Sequence, residues 1–171
     1  MGKKGKEIVS VDTKKLIKSL NEALSEEWLA YYQYWIGTKV MEGPMRSEIA
    51  PELLIHANQE LNHATLVTDR IIQLGGNPIL DPKDWSRHAK CAYEAPEDPY
   101  VEVILQQNLR GERCAISRYK GLADLTNGKD YATYQMVMLI LNEEIEHEQD
   151  IEEFLRDIER MREDFRNIRM K

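Results

Sequence analysis

Apolar residues recur every three to four positions in four long stretches of this chain, the period of a helix that buries one face. Leu16, Leu20, Leu24, Trp28, Tyr31 and Trp35 form the first stripe, and Asp12-Thr13 supplies a cap, which predicts a helix over 13–42. Gly43-Pro44 then breaks the pattern as a short hairpin turn. Leu54, Ile55, Leu61, Ala64, Leu66, Val67, Ile71 and Leu74 predict a second helix to about residue 74. Its start is left open, since Pro51 suits a first turn better than an interior. Leu74-Gly75-Gly76-Asn77-Pro78 stops it, with glycine just past the end and proline beyond.

Residues 76–97 carry Gly76, Pro78, Pro82, Pro96 and a Trp85 set among charges, so they read as a long connection with one short helical turn. Asp98-Pro99 is the predicted restart, a cap followed by proline in the first helical position. Val101, Ile104, Leu105, Leu109, Ile116, Leu122 and Leu125 carry the third helix to Thr126, and Asn127-Gly128 closes it. Met136, Val137, Leu139, Ile140, Ile151, Phe154, Leu155 and Ile158 carry a fourth from near Asp130 to about 165. Two helix pairs joined by a long link predict an all-α, antiparallel four-helix bundle. The link must run the length of the bundle between helices two and three.

Composition narrows the class. The chain has 171 residues, enough for one domain with a sizeable core, read here as a bundle over 11–171 behind a flexible tail over 1–10. The net charge of -7 argues against a broadly basic nucleic-acid surface and suits a protein that attracts cations. Lys3, Lys4 and Lys6 in the tail are the one feature that could touch DNA phosphates. The apolar runs are far too short to span a membrane, and no apolar segment follows the basic start, so a cytoplasmic location is expected. Two cysteines, Cys91 and Cys114, do not make a secreted disulfide scaffold.

The candidate chemistry lies in Glu60-Leu61-Asn62-His63 and Glu144-Ile145-Glu146-His147. On a helix, each pair projects from one face. A lone Glu-x-x-His is a weak signal in a glutamate-rich chain. The weight comes from Glu27, 33 residues before Glu60, and Glu112, 32 residues before Glu144. All six fall in or beside apolar helix faces, where carboxylates are costly unless a cation neutralises them. Mixed Glu and His donors suit iron, manganese or zinc, whereas calcium takes oxygen alone. Tyr34, two turns beyond Glu27, shares its face. His56 and His88 read as ordinary surface or subunit-contact residues.

Glu plus Glu-x-x-His, repeated in two half-chains, is the ligand pattern of ferritin-like dimetal carboxylate bundles. The chain resembles that superfamily over nearly its whole length, and bacterioferritin within it. The resemblance rests on residues 20–34 around Glu27, Glu60 to His63, the Gly75-Gly76-Asn77-Pro78 stop, Glu112, and Glu143 to His147. It implies two iron ions, bridged by Glu60 and Glu144. Glu27 and His63 would complete one site and Glu112 and His147 the other, with Tyr34 as a nearby hydrogen-bonding or redox side chain. Leu61 replaces the haem-binding methionine of bacterioferritin, so no haem is expected. The cysteine pair resembles that of the Dps-like proteins called thioferritins. That likeness implies a twelve-subunit homo-oligomeric cage, Fe(II) oxidation with hydrogen peroxide preferred over oxygen, storage of ferric iron, and a redox role for Cys91 and Cys114. Helix geometry turns Cys114 away from the metal-facing direction, toward the flank where the connection passes and where Cys91 could meet it. A dimetal catalase or rubrerythrin-like enzyme of the same fold is one rival reading, and a DNA-coating structural protein, resting only on Lys3, Lys4 and Lys6, is the other.

Overall fold

The computed structural model describes residues 2–169. The basic tail holds one short exposed helix, α1 (Lys3–Glu7), where the sequence predicts no element. Four long helices follow: α2 (Thr13–Val40), α3 (Arg46–Gln73), α5 (Val101–Thr126) and α6 (Tyr131–Arg169). No strand forms among the described residues, and the architecture is the predicted all-α four-helix bundle. No described helix is long and apolar enough to cross a membrane.

The ends follow the expected chemistry in part. The Asp12 carboxylate accepts from the Lys14 and Lys15 amides at 2.9 and 3.1 Å, which caps α2. Gly75 takes φ +81°, the left-handed conformation that closes α3, and the Gly76 amide returns to the Ile71 carbonyl at 2.9 Å. The sequence leaves one start open and places another two residues early. Helix α3 begins at Arg46, so Pro51 lies inside it, where its missing N–H cannot donate to the Ser47 carbonyl. The extra turn holds because Ile49 is fully buried. Helix α5 begins at Val101 and not at Pro99. The Glu42 backbone pairs with the Pro99 carbonyl at 2.8 Å and the Val101 amide at 2.7 Å, which keeps Tyr100 extended. Asp98 instead accepts from the Tyr100 amide at 3.0 Å.

The crossover runs down α2 and is fastened to it stepwise. Asn21 takes the Asn77 carbonyl and the Ile79 amide at 3.0 and 2.9 Å. A 3-10 turn (Pro82–Asp84) leads into the short helix α4 (Trp85–His88). Its Trp85 stacks flat on Trp28, with centroids 5.3 Å apart. So the tryptophan counted against helix in this stretch is the residue that docks it.

The core is split in two. One cluster gathers Leu16, Leu20 and Leu24 with Val67, Ile71, Leu122, Val137 and Ile140. The other gathers Met41, Ile49 and Leu53 with Ile104, Leu105, Ile151 and Ile158. Early α2 meets late α3 and late α5 in the first cluster, so neighbouring helices run antiparallel. Every residue of the Glu-x-x-His constellation falls in the sequence gaps between the two clusters.

Candidate metal centre

Burial sets the terms at this waist. Glu27 (α2), Glu60 and His63 (α3), Glu112 (α5) and Glu144 and His147 (α6) are each 2% exposed or less. Their ligand atoms form two groups, Glu27/Glu60/His63/Glu144 and Glu60/Glu112/Glu144/His147, each within 4.8 Å. Both groups contain Glu60 and Glu144, the two residues expected to bridge. The Nδ1 of His63 lies 3.3 Å from oxygens of Glu27, Glu60 and Glu144. That of His147 lies 3.3, 3.5 and 3.6 Å from oxygens of Glu60, Glu112 and Glu144.

The outer nitrogens are tied off crosswise. His63 Nε2 meets Glu143 of α6 at 2.6 Å, and His147 Nε2 meets Gln59 of α3 at 3.0 Å. These bonds orient both rings with Nδ1 toward the centre. Glu143 and Gln59 each directly precede a glutamate common to both groups, so each turn of this motif carries one helix's candidate ligands and the other helix's support.

Tyrosines repeat the arrangement. Tyr34 of α2 donates to Glu112 of α5, and Tyr119 of α5 donates to Glu27 of α2. The sequence reading found Tyr34 and missed Tyr119, although Tyr119 follows Glu112 by seven residues as Tyr34 follows Glu27. Burial drives both hydroxyls well above their ordinary pKa, reinforced by the nearby carboxylates, so both stay protonated donors.

The carboxylates do not share one state. Burial raises Glu27 and Glu112 well above the usual range. Burial acts on Glu60 in the same sense, but the imidazoles of His147 and His63 beside it outweigh it and hold Glu60 below that range. Burial pulls His147 down, yet Glu112, Glu144 and Glu60 together push it up to about 12. His63 is raised in the same way by Glu144, Glu27 and Glu60. Protons thus occupy positions where cations would serve the same charge balance.

The fit to metal ions is tested by what the protein leaves unsatisfied. Oε2 of Glu27, Oε1 of Glu60, Oε2 of Glu112, both carboxylate oxygens of Glu144 and Nδ1 of His147 are buried without hydrogen-bond partners. Buried polar atoms are seldom left so, and six in one group with mixed N and O donors suit a pair of first-row ions.

His56, read from sequence as a surface or contact residue, is 1% exposed and stacks on His147 with centroids 4.1 Å apart. Its position four residues before Glu60 puts it on the ligand face of α3. His88 is exposed.

Cys91 of the crossover and Cys114 of α5 are joined in a disulfide. Cys91 and Tyr93 line a cavity of about 30 Å³ whose floor includes Glu27, Tyr34, Glu60, Glu112 and Glu144. Two buried α2 side chains hold the crossover there. Glu26 accepts from the Lys90 and Cys91 amides at 2.7 and 3.4 Å and pairs with Arg118 at 2.7 Å. Gln33 accepts from the Glu94 amide at 2.7 Å.

With this geometry in hand, the family model described as a ferritin-like domain matches residues 17–161. The chain belongs to the ferritin-like family. This ferritin-like chain is 37% identical over 152 residues to the DNA protection during starvation protein of Pyrococcus furiosus, covering 87% of this chain and 81% of the relative. It is 26% identical to a bacterial non-heme ferritin of Staphylococcus epidermidis, over 82% of this chain and 80% of that one. Among solved structures it superposes on a dodecameric thioferritin, the bacterioferritin-related protein of Bacteroides fragilis, with TM-score 0.94 and 51% identity over 96% of this chain and 99% of that one. Dps from Thermosynechococcus elongatus, at 15% identity and TM-score 0.79 over 83% of this chain and 90% of that one, shares the fold.

Proposed function

We propose that this ferritin-like chain is a cytoplasmic ferroxidase that oxidises two Fe(II) ions at the six-residue centre, with hydrogen peroxide as preferred oxidant. The ferric product would be stored inside a twelve-subunit cage. The observation that carries the reading is the set of six buried, unpartnered ligand atoms on four helices. Iron here is the substrate. Two Fe(II) give one electron each, H2O2 takes both with two protons, and the products are two Fe(III) and two water molecules. Taking the electrons as a pair at one centre avoids the one-electron reduction that releases hydroxyl radical.

The residues divide the work. Glu60 and Glu144, common to both ligand groups, would lie between the ions and offset their repulsion. Glu27 and Glu112 would each complete one site, held in place by Tyr119 and Tyr34. His63 and His147 give up their protons as ions arrive. The cavity beside Cys91, lined by these carboxylates, would admit the oxidant. The disulfide on its wall would report or buffer the redox state of the site. The dodecameric state of the Bacteroides fragilis relative supports the cage.

Replacing both shared residues (Glu60→Gln with Glu144→Gln) tests the reading. Rapid Fe(II) oxidation by peroxide should vanish while a helical oligomer remains. Unchanged oxidation kinetics in the folded double variant would remove the central claim.

A further inference from the structure

Beside the six-residue centre stands a second, smaller ligand set. Glu52 and His56 lie four residues apart on one face of α3, and Asp150 meets them from α6. One ligand atom from each lies within 4.8 Å of the others. His56 Nε2 is 3.3 Å from Asp150 Oδ2 and 4.0 Å from Glu52 Oε1. Its Nδ1 is buried with no partner.

This is not a finished hydrogen-bond network. A charge-assisted bond closes to about 2.7–2.9 Å, as His63 does with Glu143 at 2.6 Å. His56 Nε2 makes one long hydrogen bond, to Asp150 at 3.3 Å, and does not reach Glu52 at 4.0 Å. The spacing from Asp150 also matches two donors around a common ion, since ligands at about 2.1 Å in tetrahedral array stand about 3.4 Å apart, and Glu52 would move in from 4.0 Å. Among the described residues neither Glu52 nor Asp150 forms an ion pair with a lysine or arginine; His56 is the partner of both. Their side chains are 39% and 42% exposed, whereas that of His56 is 2% exposed and closes the cup from behind.

We propose that Glu52, His56 and Asp150 form a third cation site, which takes a divalent first-row ion and, in the working protein, Fe(II). One imidazole and two carboxylates select such an ion over calcium or magnesium. Water fills the remaining positions, so the ion exchanges readily. The site opens on the α3–α6 flank, opposite the Cys91 cavity between α2 and α5. His56 stacks directly on His147, which places the third ion next to the centre it would feed. That staging role rests on the ferroxidase reading; the ion site itself does not.

Zn(II) alone is the probe. Anomalous difference maps from crystals soaked in Zn(II) should show a peak between Glu52, His56 and Asp150, besides two at the six-residue centre. The Glu52→Gln, Asp150→Asn double variant alters only half-exposed side chains; it should lose that peak and keep the other two. No density between these residues in the parent protein, or a peak that survives in the variant, overturns the assignment. A third-site peak without the other two would sink the ferroxidase reading and leave this site standing.

Discussion

The Tyr119 hydroxyl donates to Glu27 across the bundle, both groups buried and each from a different half of the chain. Tyr119→Phe would leave the Glu27 oxygen without its donor. The cost of an unsatisfied buried acceptor is about 1–3 kcal/mol, read as a lower Tm of the metal-free protein. Tyr34→Phe should do the same at Glu112. If neither variant shifts Tm, the tyrosines contribute packing only.

Glu143 and Gln59 occupy matching positions with different charge, and this difference should be measurable. Glu143→Gln replaces a carboxylate acceptor behind His63 with an amide. Lower imidazole basicity should weaken one of the two ions by about tenfold or more, and the other little. Competition of Zn(II) against a chromophoric chelator, resolved into two steps, checks this. An equal loss at both steps would contradict separate support for each histidine.

The disulfide closes a separation of 23 residues, for which chain entropy gives about 3 kcal/mol. Cys91→Ser should destabilise the fold by that order, read as a lower Tm. The crossover should stay docked, because Glu26, Gln33 and Trp85 hold it independently. The informative readout is kinetic: slower peroxide consumption in a well-folded variant supports a redox role, and normal turnover reduces the pair to a staple.

The pH dependence has a definite sign. His147 and His63 are raised in the metal-free fold, so their stabilisation is complete below about pH 6.5 and is lost as pH climbs toward 12. Glu27 and Glu112, raised by burial, also favour the protonated fold and weaken it as pH rises above their unfolded values. Bound ions replace these protons. Metal-free Tm should therefore fall between about pH 6 and pH 8, and the Tm gain from anaerobic Mn(II) should widen over the same range. A gain that does not change with pH would mean that ion binding displaces no protons.

The sequence was most informative where one requirement repeats. Helical periodicity set the four long helices, and the recurrence of Glu27 and Glu112 ahead of the two Glu-x-x-His pairs marked the centre. The same comparison of halves, carried one step further, would have found Tyr119. His56 was misread because a lone histidine has no charge pattern to betray burial; its offset from Glu60 was the available clue. Glu26 and Gln33 could not be told from surface residues, since the crossover that buries them has no period to reveal its path. Pro51 left the start of α3 open for a local reason: a single lost hydrogen bond is outweighed by burying Ile49 one turn earlier.

The divided core carries a further consequence. Leu20 and Leu105 belong to different clusters with a charged waist between them. Truncations there should be felt locally and add nearly independently. In the absence of cations the waist contributes repulsion among four carboxylates, relieved by protons. With ions bound, the same six residues would tie all four helices at mid-length. Loading would then act on the whole bundle as a clasp, joining two small cores into one mechanical unit.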